Sequence, residues 1–387
     1  MNQTPATTPA NLPPANGGFK IEPLNWLLAA IPVAITLRFM HASDVWIFAF
    51  SCIAIIPLAG LMGRATENLA ATMGAGVGGL LNATFGNAAE LIIALFALAK
   101  GPEYYPLVKA SITGSIIGNV LLVLGLSILC GGFKFERQTF NRTAASTGSA
   151  MMALATIGLL VPTLFHAFHV QHAPTEERKE DFSFLSDEIA VILFIVYLLN
   201  LFFSLKTHKH LFRGDLNPGD ADDAHEPPEW SRKTSMSVLI ASTIGVAIMS
   251  EVLVSSVESA GHKLGMTSVF MGVIVVAVIG NAAEHSTAIL MAMKNKMDLA
   301  VSIAVGSGIQ IALFVTPVLV FVSIGLGRPL DLHFTGMEIA SIVISLIVLN
   351  MVCEDGESHW MEGVLLLAVY IILGLAFYHL PEAAPHP

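Results

Sequence analysis

Apolar residues run along this chain in long blocks, without the strict alternation of a half-buried strand. A helix that crosses a bilayer needs about 20 mainly apolar residues. Eleven stretches qualify: 24–41, 44–62, 74–98, 104–130, 143–165, 183–205, 234–257, 266–293, 298–326, 336–352 and 361–379. Barrel strands would be about ten residues long and alternating, whereas uniform runs of this length predict helices, whose backbone groups satisfy one another inside lipid. The fold class expected is an all-α polytopic membrane protein with about 11 transmembrane helices.

The one long polar interruption, Lys206 to Lys233, is rich in Asp, Pro and His, including Asp220, Asp222, Asp223 and His225. It separates spans two to six from spans seven to eleven. The expected organisation is a disordered N-terminal tail (1–23), a first transmembrane helix (24–42), a five-helix repeat (43–205), an acidic cytosolic linker (206–233) and a second five-helix repeat (234–380). With alternating sides, the face of the N-terminus holds 12 of the 19 Lys and Arg residues. Because positive loops stay inside, the N-terminus and the linker are expected in the cytosol and the C-terminus outside.

Composition agrees with a lipid environment: 54% of residues are hydrophobic, 12% are charged, and the mean hydropathy is +0.71. Soluble domains carry about 25% charged residues. The net charge of −10 excludes the basic footprint of a nucleic-acid binder. Cys52, Cys130 and Cys353 lie in or beside apolar runs with no metal-ligand spacing, so they set no disulfide framework. No P-loop sequence is present, which excludes an ATP-driven pump.

The repeat is visible in the residues themselves. Gly86-Asn87-Ala88-Ala89-Glu90 recurs 194 positions later as Gly280-Asn281-Ala282-Ala283-Glu284, and Gly114-Ser115 is echoed 192 positions later by Gly306-Ser307. Five spans per repeat is an odd number, so the two copies enter the membrane from opposite sides, as in many secondary transporters. Each copy places a carboxylate mid-span with an amide three residues earlier on the same face. An acidic side chain there costs roughly 2.5 to 3.5 kcal/mol on insertion scales, which an idle residue would not repay. Gly86 and Gly280 either unwind the helix locally, freeing carbonyls as ligands, or permit close helix packing.

Glu90, Glu284, Asn87, Asn281, Ser115, Asn119, Ser307 and Gln310 offer only oxygen and amide groups. A hard cation such as Ca²⁺ takes 6 to 8 oxygens, and two carboxylates neutralise one divalent ion. Cation and protons then compete for the same carboxyl oxygens, which is antiport. Ca²⁺ and H⁺ are the substrates, no cofactor is expected, and the localisation expected is the bacterial cytoplasmic (inner) membrane; a homo-oligomer is left open.

At these residues the chain resembles the calcium/proton exchanger family within the calcium:cation antiporter superfamily. The resemblance rests on the paired motifs at 86–98 and 280–289, on Ala-Thr-Glu67, on the run from Ser250 to Glu258, on 306–313, and on 355–363. It implies that Glu90 and Glu284 bind the exchanged cation and protons, that Asn87, Asn281, Ser307 and Gln310 line the same pocket, and that His285 belongs to the region. The family commonly carries serine where Gly118 and Gly308 stand here, which removes two hydroxyl ligands.

Lesser signals keep two readings each. His285 follows Glu284 but faces about 100° away on an ideal helix, so it either handles protons or packs through a hydrogen bond. Glu251 and Glu258, seven residues apart on one face, form a cation vestibule or an interfacial pair reaching water, and Glu67 stands in the same position at the cytosolic entrance. His166, His169 and His172 are expected in a loop, because Pro174 and an acidic run follow. A sodium-driven or monovalent cation/proton antiporter on the same scaffold is the alternative function, and a cation channel a more distant one.

Overall fold

The computed structural model describes residues 23–73, 75–169, 177–208 and 229–381. The expected tail, most of the linker with Asp220, Asp222, Asp223 and His225, and His172 lie outside the described residues. Helices occupy every apolar stretch read from the sequence: α1 (Pro23–Phe39), α2 (Asp44–Met73), α3 (Ala75–Phe85), α4 (Ala88–Lys100), α5 (Pro102–Gly132), α6 (Arg142–His169), α7 (Glu177–Phe202), α8 (Arg232–Leu264), α9 (Ser268–Gly280), α10 (Ala282–Met293), α11 (Met297–Gly325), α12 (Gly336–Val352) and α13 (Trp360–His379). Among the described residues seven helices are long and apolar enough to cross a bilayer, and the pair α9 and α10 adds an eighth span if its 58° bend lies within one crossing. Side chains such as Ile192, Leu199, Ile347, Met351 and Ile372 face outward, as lipid contact requires.

Three local expectations are corrected. Helix α2 continues to Met73, well past residue 62, because nothing in Gly63 to Met73 breaks a helix; Arg64 and Glu67 therefore lie inside it. Helix α6 runs to His169, so His166 and His169 sit on a helix, and the His166 ring stacks on His333 at 3.8 Å. The α5–α6 connection also forms a two-residue strand, β1 (Gln138–Thr139), antiparallel to β2 (Glu357–Ser358) between α12 and α13. Gly356 makes the adjoining turn with φ of 79°, a conformation glycine adopts without strain. This strap leaves the fold all-α and marks one end of the molecule, called here the sheet face; the α1–α2 turn marks the other, the turn face.

Interior packing follows the repeat. Helix α2, which opens the first half, lies along α8, which opens the second. After its break, each motif helix leans on the leading helix of the other half: α4 against α8, and α10 against α2. Helices α5 and α9 approach so closely that a Cβ on Gly114 would meet the Val273 carbonyl and one on Gly272 would meet Ala110. Lipid supplies no hydrophobic drive for this contact, so small residues that admit close backbones hold it.

Candidate functional site

The site begins at the two helix breaks. Helix α3 stops at Phe85 and α4 starts at Ala88; α9 stops at Gly280 and α10 starts at Ala282. Backbone hydrogen bonds flank both breaks. Gly86 N still donates to Asn82 O at 2.8 Å, Leu91 N to Asn87 O at 3.1 Å, Asn281 N to Ala277 O at 3.1 Å and His285 N to Asn281 O at 3.0 Å.

The two glycines make room for the opposite carboxylate. A Cβ on Gly280 would lie 3.1 Å from Glu90 Cγ, and one on Gly86 would lie 3.7 Å from Glu284 Oε1 and 3.5 Å from Gln310 Oε1. Each glutamate thus packs over the motif glycine of the other repeat. Ala110 and Gly114, four apart on α5, allow the approach that sets Ser115 against Asn281; this small-residue spacing is readable in the sequence.

Hydrogen bonds then cross between the halves. Asn87 Nδ2 donates to Gln310 Oε1 at 2.5 Å, Asn119 Nδ2 donates to Asn281 Oδ1 at 3.0 Å, and Asn281 Nδ2 donates to Ser115 Oγ at 3.1 Å. Ser307 lies beside the Glu284 carboxylate. With their amide donors committed, Asn87 and Asn119 keep free carbonyl oxygens. Asn87 Oδ1, Asn119 Oδ1, both oxygens of Glu90 and Glu284 Oε2 are buried and make no hydrogen bond. Five buried acceptors without donors are costly in a protein, and a cation is the partner that satisfies acceptors alone. Among the described residues no group of three or more His, Cys, Asp or Glu forms a metal cluster, so the ligand charge here comes from two carboxylates.

Helix geometry widens at the same places. Gly118–Val123 in α5 and Ile311–Val315 in α11 are π-helical, beginning beside Asn119 and Gln310. Such wide turns concentrate at functional positions. On the turn-face side Glu90 borders a small cavity with Ser111, Ser115, Ile93, Val276 and Ala277; Ser111, four residues before Ser115, had not been singled out. On the sheet-face side Ser302 is exposed, and Gly306 and Gln310, spaced by four along α11, are half-buried. A track of small and polar residues leads inward from that face.

The remaining sequence candidates lie elsewhere. His285 is buried and its Nε2 makes no hydrogen bond. Glu67 lies exposed on α2. Glu251 is no free vestibule carboxylate, because Arg38 Nη2 of α1 donates to it at 3.2 Å. Glu258 sits near Tyr104.

A second charged group at the turn face had no signal in the motifs. Lys109 Nζ donates to Asp331 Oδ1 at 2.6 Å and to the His333 carbonyl at 2.8 Å, and Glu338 caps α12 with Thr335. Burial raises the Asp331 carboxyl, but the Lys109 charge, its hydrogen bond and the His333 backbone outweigh this and hold it below its ordinary value.

Residues 43–206 and 234–378 match the family described as sodium/calcium exchanger protein. The chain is 46% identical over 364 residues to a Ca(2+)/H(+) antiporter of Aphanothece halophytica, covering 92% of this chain and 96% of that one. It is 44% identical over 353 residues to the Ca(2+)/H(+) antiporter ChaA of Bacillus subtilis (strain 168), covering 90% and 97%. The solved structure of native YfkE superposes with a TM-score of 0.79 at 40% identity, over 92% of this chain and 99% of that one. An H+/Ca2+ exchanger, CAX, shares the fold at 13% identity, with a TM-score of 0.63 over 92% and 91%. An integral, multi-pass membrane protein, the chain belongs to the sodium/calcium exchanger protein family and, within it, to the calcium/proton exchangers.

Proposed function

We propose that the protein exchanges Ca²⁺ for H⁺ by alternating access at a single site built from Glu90 and Glu284, in a bacterial cytoplasmic membrane with the sheet face in the cytosol. Asn87, Asn281, Ser115, Asn119, Ser307 and Gln310 complete the lining. The carrying observation is the reciprocal seating of each carboxylate on the other repeat's glycine, amid five buried oxygens that have no donors. Neither repeat alone supplies the 6 to 8 oxygens that Ca²⁺ takes. The relatives named as Ca(2+)/H(+) antiporters support the choice of substrates.

The arrangement derives the coupling. Two bare carboxylates facing one another in a medium of low dielectric repel strongly, so the site changes sides carrying either a divalent ion or protons. In the geometry described, a small cavity borders Glu90 toward the turn face and the polar track reaches the sheet face. Inversion of the two halves generates the opposite state, with α2 and α8 exchanging roles. Gly118 and Gly308 leave out two hydroxyls, so the amides and carboxylates carry the selectivity.

The test is calcium binding to purified protein between about pH 5 and 9, beside Glu90→Gln and Glu284→Gln. Apparent affinity weakens as pH falls, and each variant loses exchange while remaining inserted. Affinity independent of pH, or wild-type flux in either variant, would remove the shared-carboxylate mechanism. Sodium replacing the proton gradient as the driving force would favour the sodium-driven alternative.

A further inference from the structure

Where the α1–α2 turn meets the end of α8, an open cavity of about 420 Å³ is lined by Arg38, His41, Ser43, Asp44, Ser255 and Lys263, among others. Ligand cavities are typically about 300 to 1,000 Å³. We propose that this cavity binds the phosphate of a phospholipid headgroup, a site separate from Glu90 and Glu284.

Donor capacity is the first reason. A guanidinium carries five N–H groups and an ammonium three. Arg38 spends one on Ser255 and one on Glu251, both at 3.2 Å, and Lys263 spends one on Asp44 at 2.9 Å. Three N–H groups of Arg38 and two of Lys263 remain for a further acceptor. Their side chains are 39% and 49% exposed, and ion pairs exposed to this degree hold their partners weakly. The existing carboxylates therefore leave both cations able to share a phosphate, whose oxygens suit forked, charge-assisted donors.

The surroundings identify the source of that phosphate. Phe39, Met40, Trp46 and Leu264 are 80%, 73%, 60% and 45% exposed around the same turn. Bulky apolar and aromatic side chains beside a polar pocket at the end of membrane spans mark the level of the headgroups. A cavity at that level opens where headgroup phosphates lie, on the face opposite the sheet face. The C-terminal dipoles of α1 and α8 account for the sign of Arg38 and Lys263, but not for an open, polar-walled cavity ringed by exposed apolar side chains. Acyl chains lying over Phe39 and Met40 would follow directly from a phosphate held between the two cations. Such a lipid would fasten α1, which stands outside both repeats, to the end of α8.

Native mass spectrometry of the delipidated full chain tests this, with phosphatidylglycerol, phosphatidylethanolamine, a diacylglycerol of the same chains, and inorganic phosphate as probes. Both phospholipids should bind one per chain and the diacylglycerol should not. The double variant Arg38→Gln, Lys263→Gln should bind them at least about tenfold more weakly, while Lys263→Arg retains binding. Calcium exchange by each variant in vesicles reports that it is folded. If the double variant does not fold, Ser255→Ala together with Lys263→Gln takes its place with the same expectation. Equal phospholipid binding by the folded variant, or equal binding of the diacylglycerol, overturns the proposal. Inorganic phosphate binding as tightly as phospholipid overturns the lipid assignment.

Discussion

Gly280→Ala adds one methyl group at the point where the two repeats touch. Its Cβ would stand 3.1 Å from Glu90 Cγ and 3.5 Å from both Cδ and Oε1, closer than side chains normally pack. Glu90 must shift by a few tenths of an ångström, and its carboxylate shifts with it. Overpacking of this kind costs about 1 to 3 kcal/mol. Most of that cost falls on the cation-bound state, because an ion fixes the carboxylate that the methyl group pushes. Calcium affinity should weaken by about 5- to 150-fold. Thermal stability should change much less, since alanine in place of glycine favours the helix by up to about 1 kcal/mol. Gly118→Ala is the matched control: a Cβ there meets nothing within 4 Å, on the helix that carries Ser115 and Asn119. Calcium binding isotherms and melting curves on the purified proteins decide the matter. Wild-type affinity in Gly280→Ala, or an equal loss in Gly118→Ala, would refute the idea that glycine clearance sets the position of Glu90.

Two further outcomes are expected. Asp331→Asn should lower the melting temperature at neutral pH, because the folded protein holds this carboxyl below its ordinary 3.8; that stabilisation is present above the unfolded value and lost as pH falls through the folded one, so a deficit that does not shrink as pH is taken progressively below 3.8 would contradict the assignment to the Lys109 ion pair. A cysteine introduced at Asp222 should resist a membrane-impermeant reagent added outside intact cells, since the linker is expected in the cytosol; labelling from outside would invert the proposed orientation.

Some corrections share one cause. The sequence reading ends α2 at 62 on falling hydropathy and places His166 in a loop on the Pro174 and acidic run that follow, and polarity of this kind marks where a helix leaves lipid although the helix itself continues to Met73 or His169. Glu251 looked free because its partner, Arg38, is 213 positions away. Lys109, Asp331 and Glu338 carry no motif at all; their cluster exists only because the α11–α12 connection folds over the start of α5.

Local chemistry in the sequence sufficed for the membrane solvent, the helical class, the doubled motif and the pair of glutamates. Uninterrupted apolar length leaves the backbone no alternative to helix, and a mid-span carboxylate is too costly to be idle. Tertiary structure decided what those residues do to one another. Whether Gly86 and Gly280 unwind the chain or clear space depends on what packs against them, and each faces a side chain from the other half of the molecule. Likewise, which oxygens of Asn87, Asn119 and Asn281 stay free depends on where their amide donors point, toward partners 162 to 223 residues away. A sequence places chemistry along one dimension; the direction of a hydrogen bond across a helix interface is set only when the two repeats pack together.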